Sequence, residues 1–258
     1  MPERLSQYVQ RDSPLHSLNP LTKLLITFGF ILISFLSPWY WTAVVLIFAG
    51  IIPYSFIAKV QREYFWTALR LLAPAVGFIF IMQSLFLPIG TVELFRWWIF
   101  HPSPESLAQG FLTAARIYVM ISAFMLFLLT THPNELMSDL TRRGLPGQFA
   151  YVIVSTLQII PQMQAKAQTI IAAQRSRGLD TEGSYLKRIG ALLPLAGPLV
   201  FGSLVEVEER AIAIEARGFT STRQKTFLYE IKDTQTDKII RAILIILVVL
   251  TLLVKIWL

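Results

Sequence analysis

Cysteine is absent from the chain, which excludes disulfides, thiolate metal sites and cysteine nucleophiles. Histidine is nearly as scarce. His16, His101 and His132 stand apart from one another and from any close acidic cluster, so no metal site is expected. Charge is also thin: 15% of the 258 residues are charged, against 54% hydrophobic. That mixture lies outside soluble usage, and charge-free apolar runs of bilayer length mark a membrane protein. No phosphate loop of the Gly-x-x-x-x-Gly-Lys-Ser/Thr type, no Gly-x-Ser-x-Gly elbow and no His-Glu-x-x-His helix occurs. The apolar spans contain no internal Asp or Glu, so a membrane-embedded enzyme or a proton-coupled carrier lacks its usual groups, and no catalytic residue is expected. A self-contained secondary transporter or channel, the other alternative, would need broken spans in matching halves, and none are visible.

The apolar segments themselves set the architecture. Four fill the first half, at about Leu21 to Leu36, Trp39 to Ala58, Leu69 to Leu87 and Leu107 to Thr130. The polar start, Met1 to Pro20, has no cleavable leader pattern, so the first span is expected to stay in the mature protein. The segment Ala58 to Arg70 carries Lys59, Arg62 and Arg70, which places it and the amino terminus in the cytoplasm, with the aromatic loop Phe95 to Glu105 outside. The net charge of +7 then reflects orientation in the bilayer rather than a nucleic-acid partner. From Thr131 to Asp237 basic and acidic residues nearly balance and the periodicity is helical, as in a water-facing insertion. Ile239 to Leu258 is a fifth span. The expected fold is an all-α polytopic membrane protein of about five transmembrane helices. Residues 1–130 form a membrane domain of four helices, 131–237 a cytoplasmic helical module, and 238–258 the last span. The run Ile189 to Val205, interrupted by two prolines and three glycines, is expected to lie along the membrane surface or among helices.

One charge falls inside a span. Arg116 costs at least a few kcal/mol at depth unless it snorkels or is paired, so snorkelling to the outer interface or a structural bond to Gln83 is expected ahead of a functional role for the two residues.

Helical spacing continues in the insertion. Ile159, Met163, Lys166, Ile170 and Gln174 share one face of a helix running from about Tyr151 to Arg177. In the next helix Val200, Leu204, Val207, Ala211 and Ile214 form a seam suited to packing on another helix, and Glu206 with Arg210 makes an i,i+4 pair on the exposed side. Both helices close with the same chemistry: Ser176-Arg177-Gly178 and Ala216-Arg217-Gly218. A left-handed glycine ends each helix and puts the arginine in its last turn, where a cation offsets the helix dipole. One such pair is an ordinary cap. Two of them, in a chain with no engine of its own, also suit a rigid fork that grips a partner's carboxylate.

Through these motifs the chain resembles the T component of energy-coupling factor ABC transporters. The resemblance runs from Ser13-Pro-Leu-His-Ser-Leu-Asn-Pro-Leu-Thr-Lys-Leu-Leu25 through Leu128 to Pro146 and Ile159 to Met163, and ends in the paired Arg-Gly motifs. The family usually reads Ala-Arg-Gly at both sites, so Ser176 is a small-for-small departure. The resemblance implies a scaffold in a prokaryotic cell membrane whose cytoplasmic helices dock on two ABC-type ATPases through Arg177 and Arg217, while its membrane face holds a substrate-binding S component. It implies no cofactor on this chain, with ATP and Mg on the partner ATPases, and import of a vitamin or of cobalt or nickel.

Overall fold

The computed structural model describes residues 9, 11–87, 103–178, 185–221 and 233–257, and for 185–195 the backbone alone. Eight helices appear among them: α1 Pro20–Leu36, α2 Trp41–Ile57, α3 Gln61–Phe86, α4 Pro104–Thr130, α5 Pro133–Arg142, α6 Gly147–Ser176, α7 Tyr185–Ala216 and α8 Gln235–Trp257. The described chain is all-helical. Three helices, α3, α4 and α8, are long and apolar enough to cross a membrane, and α1 and α2 are shorter apolar helices. The expected outer loop, Phe95 to Glu105, lies largely outside the described residues.

Local sequence explains where several helices start. Asn19, Ser103 and His132 each cap a helix through a side-chain acceptor, and each is followed by proline at the first helical position, where a missing N–H costs nothing. At α8 Thr234 precedes the helix and Asp237 reaches back, its Oδ2 accepting from the Thr234 N–H at 3.0 Å. The basic segment expected between α2 and α3 shrinks to a turn around Lys59, and Arg62 and Arg70 lie within α3. Helices α2 and α3 both widen into π turns, at Leu46–Ile51 and Ala68–Leu72, two residues before Pro53 and Pro74. There the proline's missing N–H interrupts the i→i−4 ladder. The run from Ile189 to Val205 is not broken by its prolines either: α7 continues through Pro194 and Pro198.

The chain divides into two compact units. One is formed by Ser6–Arg143 with Ile231–Leu258, and the other contains Gly144–Glu230. In the first, α1 packs on α4, α5 and α8, and α3 lies along α4. Ile51, Val60, Tyr64 and Val119 are completely buried. The Tyr64 hydroxyl donates to Ser122 Oγ at 3.0 Å, which satisfies a polar group inside the bundle. Lys23, only 1% exposed, donates to the Thr130 and His16 carbonyl oxygens at 3.0 and 2.9 Å and so joins α1 to the end of α4.

Arg116 does not pair with Gln83. Its Nε donates to the Ser34 carbonyl at 3.0 Å and its Nη2 to that of Ser37 at 2.9 Å, so it satisfies the carbonyls at the end of α1. The end of α1 offers two carbonyls that no helix N–H completes, so Arg116 makes two bonds there where the Gln83 amide has one oxygen to offer. Gln83 Oε1 is buried with no hydrogen-bond partner.

A candidate docking site at two helix ends

The second unit is built on α6 and α7, which run antiparallel. Lys166 pairs with Glu206, Ser203 Oγ approaches Met163 Sδ at 3.8 Å, and Arg210 Nη2 donates to Gln162 Oε1 at 3.5 Å. At one end the rings of Tyr151 and Phe219 lie 5.2 Å apart. The face of α6 expected from Met163 and Lys166 is indeed the one against α7. The expected i,i+4 pair is formed, with Arg210 Nη2 3.3 Å from Glu206 Oε1, but on the side that meets Lys166 and Gln162 of α6 rather than the exposed one. The seam proposed for α7 is not the packed face. Val200, Leu204 and Val207 are 55%, 60% and 61% exposed, and the neighbouring row of Ser203, Glu206 and Arg210 meets α6 instead. Those polar side chains find partners on α6, and partnered polar groups occupy the contact without penalty. Lys166, by its hydrogen bond and its charge, holds the Glu206 carboxyl below its ordinary value.

Both helices end at a glycine of positive φ whose N–H bonds the carbonyl three residues back. Helix α7 closes with the Gly218 N–H on the Glu215 carbonyl at 2.9 Å and the Phe219 N–H on the Ile214 carbonyl at 3.2 Å. These are the two bonds of a Schellman ending, with Gly218 at φ +70. At α6 the Gly178 N–H bonds the Arg175 carbonyl at 3.0 Å, with Gly178 at φ +88. A Cβ on Gly178 would meet nothing within 4 Å, so the glycine is required by its dihedral angle and not by space. Helices α6 and α7 stop at Ser176 and Ala216. Arg177 and Arg217 therefore occupy the cap position, one residue beyond the last turn in which the sequence places them.

Each arginine is exposed at a helix tip, and neither forms a side-chain hydrogen bond or ion pair among the described residues. Ser176 Oγ turns back to the Ala172 carbonyl at 3.2 Å, leaving the tip to the guanidinium. Ala216 is exposed and adds no bulk beside Arg217. The tips are far apart. Phe219 sits beside Tyr151 near the start of α6, whereas Arg177 follows its end, and a 1.5 Å rise per residue over that length separates them by on the order of 40 Å.

Sequence reasoning missed a polar cluster in the other unit. Asp237 is fully buried, and its Oδ1 accepts from the Asn19 N–H at 3.0 Å. Asp233 accepts from Asn19 Nδ2 at 2.9 Å, from Arg143 at 3.2 Å and from Arg241. The capping pattern Thr234-Gln-Thr-Asp237 ahead of an apolar run was the available signal.

A family model described as CbiQ, cobalt transport protein, matches residues 11–228. The energy-coupling factor transporter transmembrane protein EcfT of Limosilactobacillus fermentum is 29% identical over 260 residues, 96% of each chain. Its counterpart in Leuconostoc gelidum is 29% identical over 98% of this chain and 97% of its own. That of Bacillus subtilis is 29% identical over 95% of this chain and 96% of its own. With apolar helices long enough to cross a bilayer and a family match over most of its length, the chain belongs to the CbiQ family of cobalt transport proteins.

Proposed function

We infer that the chain is the transmembrane component of an energy-coupling factor transporter and serves as its non-catalytic coupling subunit. It crosses a prokaryotic cell membrane five times, with the amino terminus and the α6–α7 unit in the cytoplasm. Arg177 and Arg217 dock on two ABC-type ATPases, one at each tip, and the ATPases bind ATP and Mg. The membrane face holds a substrate-binding S component, and the imported substrate is a vitamin or a cobalt or nickel ion.

The observation that carries this reading is the matched pair of helix ends. Two exposed arginines, each set by a left-handed glycine, stand at opposite ends of one antiparallel pair. A guanidinium presented this way can grip a carboxylate in a partner's groove bidentately. Arg177→Glu combined with Arg217→Glu is expected to abolish co-purification of the ATPases and ATP-dependent uptake. Each single variant is expected to weaken retention of one ATPase. Full retention and uptake in the double variant would overturn the assignment.

A further inference from the structure

The chain passes from one compact unit to the other at Arg143–Gly144 and returns at Glu230–Ile231. Beside these two points stand Arg143 and Asp233, and they are bound to each other. Arg143 Nη2 donates to Asp233 Oδ2 at 3.2 Å. Arg241, in the second turn of α8, donates to the same carboxylate and through Nε to Thr22 Oγ1 of α1 at 2.8 Å. Asn19 Nδ2, at the head of α1, donates to Asp233 Oδ1 at 2.9 Å. Arg143 Nε also lies 3.4 Å from Asp139 Oδ2 in α5. One carboxylate is thus held from α1, from the end of α5 and from α8. Its hydrogen bond to Arg241, together with the charge of Arg241 and Arg143, keeps the carboxyl below its ordinary value, so it stays ionised.

A module joined by two strands can flex at each strand independently, and displacement is then lost at the joints. Tying the strands together where they leave the helices removes that freedom. We propose that the Arg143–Asp233–Arg241 cluster is a transmission joint, which delivers displacement of the Gly144–Glu230 unit to α1, α5 and α8 together. The proposal rests on the reading of the chain as a coupling subunit. Stability is not what the Arg143–Asp233 link supplies. The Arg143 and Asp233 side chains are 43% and 34% exposed, and ion pairs of that exposure contribute little to folding. These are positioning residues, and their loss should appear in coupling rather than in assembly.

The test uses the whole complex, purified with its ATPases and S component and reconstituted in liposomes. ATP hydrolysis is measured alongside uptake of radiolabelled Co2+, Ni2+ and riboflavin, using whichever the wild type imports. In Asp233→Asn and Arg143→Gln, assembly and hydrolysis are expected within about twofold of wild type, and uptake per ATP about tenfold lower. Because the subunit has no cysteine, Arg143→Cys with Asp233→Cys gives a unique pair in it for a short bis-thiosulfonate linker. Linking is expected to restore uptake per ATP, and reduction to remove it again. Unchanged uptake per ATP in Asp233→Asn, a parallel fall in assembly, hydrolysis and uptake, or a linked pair no better than the unlinked one would each overturn the proposal. Failure of the wild-type chain to retain ATPases would instead overturn the function proposed above.

Discussion

In the unit formed by Ser6–Arg143 and Ile231–Leu258, Ile51, Val60, Tyr64 and Val119 have no exposed surface, and even Lys23 is almost fully enclosed. Along α6 and α7, by contrast, only Ala150 and Ser155 are buried among the side chains described. Phe201, Leu204 and Val207 are 70%, 60% and 61% exposed there. The first unit has an interior of its own and turns its remaining apolar surface outward, as lipid requires. The second has one contact line, largely polar, and an apolar surface too extensive for a free helix pair in water. An element of this kind is completed by what it touches. A coupling arm is expected to have that property, because contacts left open within the arm remain available to partners.

Matched substitutions sharpen this contrast. The largest effect is expected where helices meet most closely. A Cβ on Gly110 of α4 would lie 2.6 Å from Ser84 Oγ and 3.3 Å from the backbone of α3, whereas one on Gly202 of α7 would meet nothing within 4 Å. Gly110→Ala is expected to cost about 1 to 3 kcal/mol by forcing α3 away from α4, and Gly202→Ala to gain about 0.5 to 1 kcal/mol from helix propensity. Melting of the detergent-solubilised chain measures both. Similar losses at the two sites would remove the distinction between the units.

Next come the lysines. Lys23→Met leaves the Thr130 and His16 carbonyls without their donor in a closed interior, for a loss of about 1 to 3 kcal/mol. Lys166→Met removes an exposed bond to Glu206 and is expected to leave the melting temperature unchanged. A drop at Lys166 as large as that at Lys23 would show that the α6–α7 contact is a core in its own right.

The smallest effect concerns pH. The Asp233 carboxyl is held below its ordinary 3.8 by the hydrogen bond from Arg241 and by the charges of Arg241 and Arg143. A carboxyl depressed in the folded state contributes stability that is complete above its unfolded value and is lost as pH falls through the folded value. The small difference in melting between wild type and Asp233→Asn is therefore expected at neutral pH and should shrink only below about 3.8. A difference that grew as the pH fell would contradict the assignment.

Much of this architecture was legible because its causes are local. Helix starts follow from a polar cap and a proline, as at Asn19-Pro20 and Ser103-Pro104, and the apolar lengths mark the membrane helices. Gly178 and Gly218 were readable as helix ends because a left-handed residue is a local demand. What escaped was long-range. Arg116 finds Ser34 and Ser37 across the bundle, and no spacing rule could prefer open carbonyls on another helix over an amide such as Gln83. The cluster around Asp233 joins residues more than two hundred positions apart, as in the bond from Asn19. The α7 seam was misread because apolar periodicity finds a stripe without saying what covers it. Here Ser203, Glu206 and Arg210 took the helix contact and left Val200 and Leu204 outside.

The closed end of α6 also has a consequence for how this chain can vary. Arg177 is placed by backbone bonds at the end of a 30-residue helix, so the helix fixes both its distance and its angular phase. One residue inserted into α6 beyond its contacts with α7 would carry the guanidinium about 1.5 Å outward and about 100° around the axis. The same insertion after Gly178 would leave it in place. On the docking role proposed for Arg177, a length change between Ile170 and Arg177 is expected to disrupt the contact, and one beyond Gly178 to spare it.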